Sequence, residues 1–200
     1  PYHIYNDGSY SNISVHSELI IHIDDQDIII VTDNLKVVGD GKITLKKTGK
    51  GKLYLYVKDY IEISDGSTIN KDGQPNDIIL YYKGNKIELV GDTKFVGCAH
   101  IEKADIVISG SAGITGHIIT GGNSVIISGA SSAYVRVIYA PNAHVQILGS
   151  GSLTGALICN TFNISGASTL TYDNSIMDTF PDIIEGGANG GTSYPKKLWQ

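Results

Sequence analysis

The sequence predicts an all-β chain folded as a single-stranded parallel β-helix, a solenoid with three short strands in each coil of about 19 residues. Composition is the first indication, because the 200 residues include 24 Gly and 12 Tyr but only one Met and one Trp. The second is a glycine that recurs at a steady interval, with similar residues around each copy. A chain of this length is expected to form one domain.

The repeat is clearest in five segments that end in glycine. These glycines are Gly91, Gly110, Gly129, Gly149 and Gly166, at intervals of 19, 19, 20 and 17 residues. Apolar residues precede each glycine by four and two positions, and this alternation is typical of a strand with one inward face. The pairs are Ile87 and Leu89, Ile106 and Ile108, Val125 and Ile127, Val145 and Ile147, and Phe162 and Ile164.

Two further apolar positions follow each glycine and complete the coil. The second inward position is Phe95, Ile114, Ala133, Leu153 and Leu170, and the third is Ala99, Ile118, Ile138 and Leu157. Each repeat therefore contains three strands and three corners. Like residues are expected to stack about 4.8 Å apart in successive coils, and parallel crossovers favour a right-handed helix.

The earlier part of the chain follows the same pattern with longer loops. Ile61 and Ile63 are displaced by one residue relative to Gly66, as a β-bulge would cause. Turn residues in 65–77 predict a loop that leaves the coil.

The whole chain, 1–200, is interpreted as one domain. Because the ends of a solenoid need caps, its predicted parts are an N-terminal cap region 1–30, coils over 31–172 and a C-terminal cap or tail over 173–200.

Recurrent asparagines six residues before the glycine predict a structural ladder of stacked amides, not a ligand site. Its members are Asn85, Asn123 and Asn160, together with Asn142, which lies one position earlier in the lengthened copy, and Ala104 interrupts the column.

No catalytic, cofactor or metal residues are predicted. Asp24, Asp25 and Asp27 are interpreted as a solvated turn, and acids are sparse in the regular coils. The six histidines lack metal-site spacing, so His100, His117 and His144 are expected to be isolated and exposed.

The two cysteines are predicted to be free thiols, because they lie three coils apart, beyond disulfide reach. Cys98 should point outward, and Cys159 should be a buried apolar residue.

The charge distribution argues against a nucleic-acid partner, and the hydropathy argues against a membrane-spanning segment. The net charge of −5 is spread along the chain without the basic stripe of a nucleic-acid binder. No run approaches the roughly 18 apolar residues of a membrane span, and the first residues do not resemble a signal peptide. The chain is expected to be soluble as it stands or the ectodomain of an anchored protein.

Several stretches are similar to a known bacterial family. They are YVKDYIEISDGSTIN at 56–70, NDIILYYKG at 76–84, the segment 137–176 that begins VIYAPNAHVQILG, and SYPKKLWQ at 193–200. Over roughly residues 50–176 the chain resembles the β-helical C-terminal domain of PilX-type pilus-assembly and minor-pilin-like proteins. Residues 96–129 look like an additional pair of coils, and the pilin helix of that family is absent from this sequence.

The resemblance implies a non-enzymatic structural domain at the cell surface or in a pilus. Its partners would be other pilus or envelope subunits, or a host or abiotic surface. Besides the loop 65–77, the expected contact surface consists of tyrosines: Tyr54, Tyr56, Tyr81, Tyr82 and Tyr134. The alternatives are a bactofilin-like scaffold that polymerises end to end and a carbohydrate-active or carbohydrate-binding β-helix.

Overall fold

The computed structural model describes residues 1–173 and confirms the predicted parallel β-solenoid, with about eight turns of about 20 residues. All strand pairings among these residues are parallel. The 17 strands in this range are β1 (Tyr2–Ile4), β2 (Gly8–Val15), β3 (Glu18–Ile23), β4 (Ile28–Val37), β5 (Lys42–Lys47), β6 (Leu53–Ile63), β7 (Thr68–Ile69), β8 (Ile78–Tyr82), β9 (Lys86–Leu89), β10 (Lys94–Val96), β11 (Cys98–Ile101), β12 (Asp105–Ile108), β13 (Gly113–Thr120), β14 (Ser124–Ile127), β15 (Ser132–Ile147), β16 (Ser152–Ile164) and β17 (Thr169–Thr171).

The strands stack into three faces. Face A precedes the glycine turn and contains 12–15, 34–37, 60–63, 86–89, 105–108, 124–127, 144–147 and 161–164. Face B follows the turn and contains 2–4, 18–23, 42–47, 68–69, 94–96, 113–116, 132–135, 152–154 and 169–171. Face C completes the coil with 8–10, 28–32, 53–57, 78–82, 98–101, 118–120, 137–140 and 156–159.

Inward side chains from the three faces fill the bore, because a single coil cannot bury its own apolar face. On face A, the pairs predicted from the glycine repeat are buried from Ile87 to Ile147. The first-coil side chains Ile4 and Ile13 are only partly buried and pack against this core. The sequence periodicity therefore identified these inward positions of face A correctly.

The corner between faces A and B is a turn whose second residue has a positive φ. Glycine takes this place in most coils, with φ between 63° and 79° at Gly39, Gly91, Gly110, Gly129, Gly149 and Gly166. The turns also stack through their backbones, for example from the Ser111 N–H to the Gly91 carbonyl (2.9 Å).

The pairing of β6 with β4 does shift by one residue, but just before the predicted position, between Val57 and Tyr60. Ile61 and Ile63 themselves pair in register with Leu35 and Val37. Their displacement relative to Gly66 arises in the turn, where Asp65, with φ 58°, occupies the left-handed position before Gly66. Aspartate is one of the few residues that tolerate this conformation.

Two boundaries also differ from those predicted. Residues 1–30 contain β1 to β3 and the start of β4, all paired in the stacks, so the coils begin before residue 31. The excursion expected at 65–77 covers only 70–77, since Thr68–Ile69 stay in the ladder between β5 and β10. The predicted C-terminal cap, 173–200, lies outside the described residues except for Asp173.

Candidate interaction surface

The outer side of face C carries a column of side chains without a formal charge. One residue from each coil points outward at the same height, and the residues are Ser9, Val31, Tyr56, Tyr81, His100, Ile119, Tyr139 and Ile158. We call this set the face C column. At the strand spacing it extends for about 34 Å. The outer side of face A differs, because it carries the ion pairs Lys36–Glu62 (2.9 Å) and Lys86–Glu88 (2.7 Å).

The middle of the face C column is held by ring stacking across coils. Tyr56 and Tyr81 are nearly parallel, with ring centroids 4.7 Å apart and an interplanar angle of 8°. Tyr81 then contacts His100 with centroids 5.1 Å apart. Such pairs contribute about 0.5–1.5 kcal/mol each beyond area burial. Because Tyr56 and Tyr81 stack face to face, those faces are not available to a ligand.

A histidine pair continues the stack. His100 and His117 have ring centroids 5.4 Å apart and their Nε2 atoms lie 3.2 Å apart. His117 is buried, and this burial, together with the neighbouring His100 and Arg136, lowers its pKa from 6.5 to about 4. The imidazole of His117 is therefore neutral at pH 7.

The expectation that His100, His117 and His144 are isolated is wrong, and only His144 is exposed as expected. His100 pairs with Ile119, so His117 lies diagonally across the strands, within reach of an aromatic side chain. His144 also has a partner, since its Nδ1 lies 2.7 Å from Thr161 Oγ1 in the next coil.

A depression opens beside His100 with a volume of about 410 Å³. Its lining combines apolar and ring groups with one cation and one anion, and consists of Tyr81, Tyr82, Lys83, His100, Ile101, Glu102 and Ile119.

The five tyrosines predicted as a contact surface do not form one surface. Tyr54, Tyr56 and Tyr81 are half-buried on the outer side of face C, whereas Tyr134 is exposed on face B. Tyr82 points into the core, which corrects the prediction. Its hydroxyl donates to the Lys86 carbonyl (3.0 Å), which is how a tyrosine is accommodated in an apolar bore.

The exposed apolar part of the face C column lies nearer the C-terminal end, at Tyr139 and Ile158, which are paired neighbours. Sequence reasoning missed this column, although its signal was present. Each member in the regular coils directly follows the third inward residue of its coil, namely Ala99, Ile118, Ile138 or Leu157.

The asparagine ladder is not formed as predicted. Asn85, Asn123 and Asn160 share one column, but Ala104 and Ala143 occupy it in the intervening coils. Asn142 lies one position before this column. Side chains two coils apart cannot hydrogen-bond, and all four asparagines are exposed. An asparagine contact that was not predicted joins Asn34 Nδ2 to Asn12 Oδ1 (2.9 Å) on face A.

The aspartates have structural partners. Asp25 and Asp27 accept hydrogen bonds from the backbone N–H groups of Lys50 (3.2 Å) and Lys52 (2.8 Å) in the next coil. Asp24 accepts one from Gln26 (2.9 Å) within its own turn. The turn is therefore tied to its neighbour by its carboxylates, beyond the predicted solvation.

Residues 70–77, predicted as a contact loop, are held against the solenoid. Lys47 and Asp77 form an ion pair (2.6 Å), and Asn70 Nδ2 donates to the Val96 carbonyl (3.1 Å). Cys98 points outward as predicted, but it is buried because its Sγ lies 3.5 Å from the Pro75 carbonyl of this loop.

Both cysteines are free thiols, as predicted. Cys159 is only half-buried, in the last described coil of face C, and this partial burial raises the pKa of its thiol.

Metal-ligating groups do not converge within residues 1–173, where no three His, Cys, Asp or Glu side chains are placed to hold an ion. No helix in the same range is long and apolar enough to cross a membrane.

Comparison with known proteins identifies one family. A family model described as a domain of unknown function (DUF7305) matches residues 4–126 and 119–179, which include all the described strands except the first residues of β1. No curated protein and no solved structure matches the chain.

Proposed function

The chain belongs to the family of the domain of unknown function DUF7305, and we propose that this domain is a non-enzymatic structural module of the bacterial cell surface or of a pilus. In this role it packs against other subunits of an envelope or pilus assembly through the face C column. The observation that carries the proposal is the apolar strip of Tyr139 and Ile158 at the exposed part of this uncharged column, because exposed apolar surface on a stiff scaffold is typical of a protein contact.

The rigidity of the scaffold supports this role. Backbone hydrogen bonds run parallel to the solenoid axis through all eight coils, and each coil is fixed by its neighbours. Side chains on face C therefore keep their positions when a partner binds, and little conformational entropy is lost. The sequence resemblance to minor-pilin-like domains supports the location in the envelope.

The stacking geometry favours a protein partner over a sugar. Carbohydrate rings bind to the open faces of aromatic side chains, whereas Tyr56 and Tyr81 turn their faces towards each other. The exposed members Tyr139 and Ile158 form an apolar strip at the surface, and aromatic and apolar side chains of this kind are enriched in the centres of protein interfaces.

Site-specific photo-cross-linking in intact cells that produce the protein naturally tests the proposal. A photoreactive phenylalanine replaces Tyr139 on face C or, as a matched control, Tyr60 on face A, since their side chains are 43% and 47% exposed. The expected result is a cross-link from position 139, but not from position 60, to an exported envelope or pilus subunit identified by mass spectrometry.

Three results would contradict the proposal. They are cross-links of equal yield from both positions, cross-links from position 139 to cytoplasmic proteins, and the absence of any cross-link from position 139. Protection of the protein from protease added to intact cells, with digestion after lysis, would separately refute its location at the cell surface.

A further inference from the structure

Two histidines that are far apart in the sequence meet in the first coils of the solenoid. His3 in β1 pairs with Ile20 in β3, so the His22 side chain lies diagonally across the ladder from it, on the outer side of face B. His3 Nδ1 and His22 Nε2 are 2.8 Å apart. The two residues are 19 positions apart in the chain, about one coil, and the spacing of ligands along the sequence therefore does not reveal the pair.

The surroundings fix the orientation of this histidine pair. The Tyr5 and His22 rings are stacked, with centroids 4.2 Å apart and an interplanar angle of 17°. His3 is exposed and His22 is half-buried, so an ion in solvent can reach both nitrogens. Desolvation, together with the nearby His3 and Lys46, lowers the pKa of His22. Its imidazole is therefore mostly neutral at pH 7, and the neutral form is the one that binds metal ions.

We propose that His3 and His22 chelate one divalent transition-metal ion of the copper(II) or nickel(II) type, which ties β1 to the next coil. Imidazole suits these ions, whose tetragonal coordination places neighbouring ligands at right angles. With metal–nitrogen bonds of about 2.0–2.1 Å, two such nitrogens are about 2.8–3.0 Å apart, against about 3.3–3.4 Å at a tetrahedral zinc ion. The observed 2.8 Å fits the right angle. Water would fill the remaining positions, since residues 1–173 supply no third side-chain ligand.

Binding requires a change of tautomer in one ring and no net release of protons. In the free chain, one of the two facing nitrogens carries the hydrogen that the other accepts. Both must present a lone pair to the ion, so this hydrogen moves to the remote nitrogen of its own ring. The charge of Lys46, the neighbour of His22 in the next coil, opposes a cation, but its side chain is exposed and therefore screened by salt.

The position of the pair gives the ion a structural effect. β1 has three residues and, within residues 1–173, pairs only with β3. Tyr2 at its start is 80% exposed, and a short strand at the end of a sheet opens at little cost in free energy. An ion that joins His3 to His22 adds a link across this ladder and stabilises the folded chain by mass action. This inference does not depend on the contact proposed for face C.

The second histidine pair does not offer an equivalent site. The Nε2 atoms of His100 and His117 are 3.2 Å apart, but His117 is only 2% exposed. An ion could not reach its nitrogen from solvent without an opening of the coil. This pair therefore serves as an internal control.

Calorimetric titration of the untagged full chain with Ni²⁺ at neutral pH tests the proposal. We expect one ion to bind per chain. His3→Gln, His22→Gln and the double variant should all weaken binding by the same factor, because a chelate needs both nitrogens. That factor should exceed the roughly tenfold loss typical of an outer-shell partner. Hydrogen exchange provides a second measurement, in which Ni²⁺ should slow the exchange of the β1 amides in the unaltered chain only.

The matched control is His16→Gln, since His16 is also exposed but has a hydroxyl partner, with its Nε2 3.0 Å from Ser14 Oγ. It should leave the affinity for Ni²⁺ unchanged, as should His117→Gln. Circular dichroism verifies that each variant keeps its strand content.

Several results would overturn the proposal. They are the absence of Ni²⁺ binding to the unaltered chain, full binding by either His3→Gln or His22→Gln, and an equal loss in His16→Gln. Binding that is lost in His117→Gln instead would assign the ion to the other pair. Exchange of the β1 amides that does not change when Ni²⁺ is bound would refute the link between the coils.

Discussion

Alanine substitutions at two equivalent glycine turns can distinguish two contributions to stability: the cost of a left-handed backbone and the cost of crowding between stacked coils. Gly39 and Gly129 both have left-handed backbones, with φ 63° and 72°. A Cβ added at Gly39 would meet no atom within 4 Å. At Gly129 it would stand 2.9 Å from the carbonyl oxygen and 3.0 Å from the nitrogen of Gly110, which lies in the coil before it.

The expected magnitudes follow from these two geometries. Holding alanine in the left-handed region costs about 1–2 kcal/mol at either site. Overpacking against a backbone that other coils hold in place adds about 1–3 kcal/mol at Gly129 alone. For a chain of this size, Gly39→Ala should lower the Tm by roughly 3–6 °C, and Gly129→Ala by roughly twice as much.

Thermal melting followed by circular dichroism measures both effects, with midpoints compared under one protocol because solenoids need not unfold in two states. Gly39→Asn serves as a second control and should stay close to the unaltered chain, since Asp65 occupies the equivalent position with φ 58°. Equal losses for the two alanine variants would refute the stacking argument. No loss at either site would refute the conformational one.

Three further predictions concern single side chains. Asp105→Ala should lower the free energy of unfolding by about 1–3 kcal/mol, because the Asp105 carboxylate accepts two backbone N–H hydrogen bonds of 2.9 Å from the next coil. The control is Asp92→Ala, and an equal loss of unfolding free energy for both variants in urea titrations would contradict this prediction. Folding lowers the pKa of His117 from 6.5 to about 4. As the pH falls, the unfolded chain therefore binds a proton at this imidazole before the folded chain does. The free energy of unfolding should therefore be unaffected by this group above about pH 6.5 and fall by up to about 3 kcal/mol as the pH approaches 4, and His117→Gln should flatten that part of the curve relative to the unaltered chain. Tyr82→Phe should lower the free energy of unfolding by about 1 kcal/mol, because it removes one hydrogen bond, and Tyr82→Ala should lower it by about 3–5 kcal/mol, because it leaves a cavity. Similar losses for the two variants in denaturant titrations would argue against a buried ring.

The inward columns were predictable because they depend only on local periodicity. Ile106 and Ile108 alternate within one strand, and the same alternation returns at the next glycine. Any solenoid that stacks those glycines must also stack these side chains. The three faces, the parallel pairing and the free cysteines followed from the same counting.

The outer surface was less predictable because a small change of register there moves a side chain to a new neighbour. Tyr82 was predicted to be outside, whereas its phase with Leu80 in β8 places it inside. The asparagine column was correctly aligned at Asn85 and Asn123, but a hydrogen-bonded ladder requires adjacent coils, and Ala104 lies between them.

Periodicity alone therefore established the class of fold, the three faces and the inward columns of the regular coils, since these arise from a pattern that successive coils repeat. Tertiary structure decided which outward side chains meet, as with Tyr56 and Tyr81 or His100 and His117, because their separations of 25 and 17 residues depend on where each loop leaves the coil. It also decided that the end of the bore at Phe162 and Leu170 is exposed within residues 1–173, because the burial of an inward side chain depends on a following coil that its own repeat does not encode.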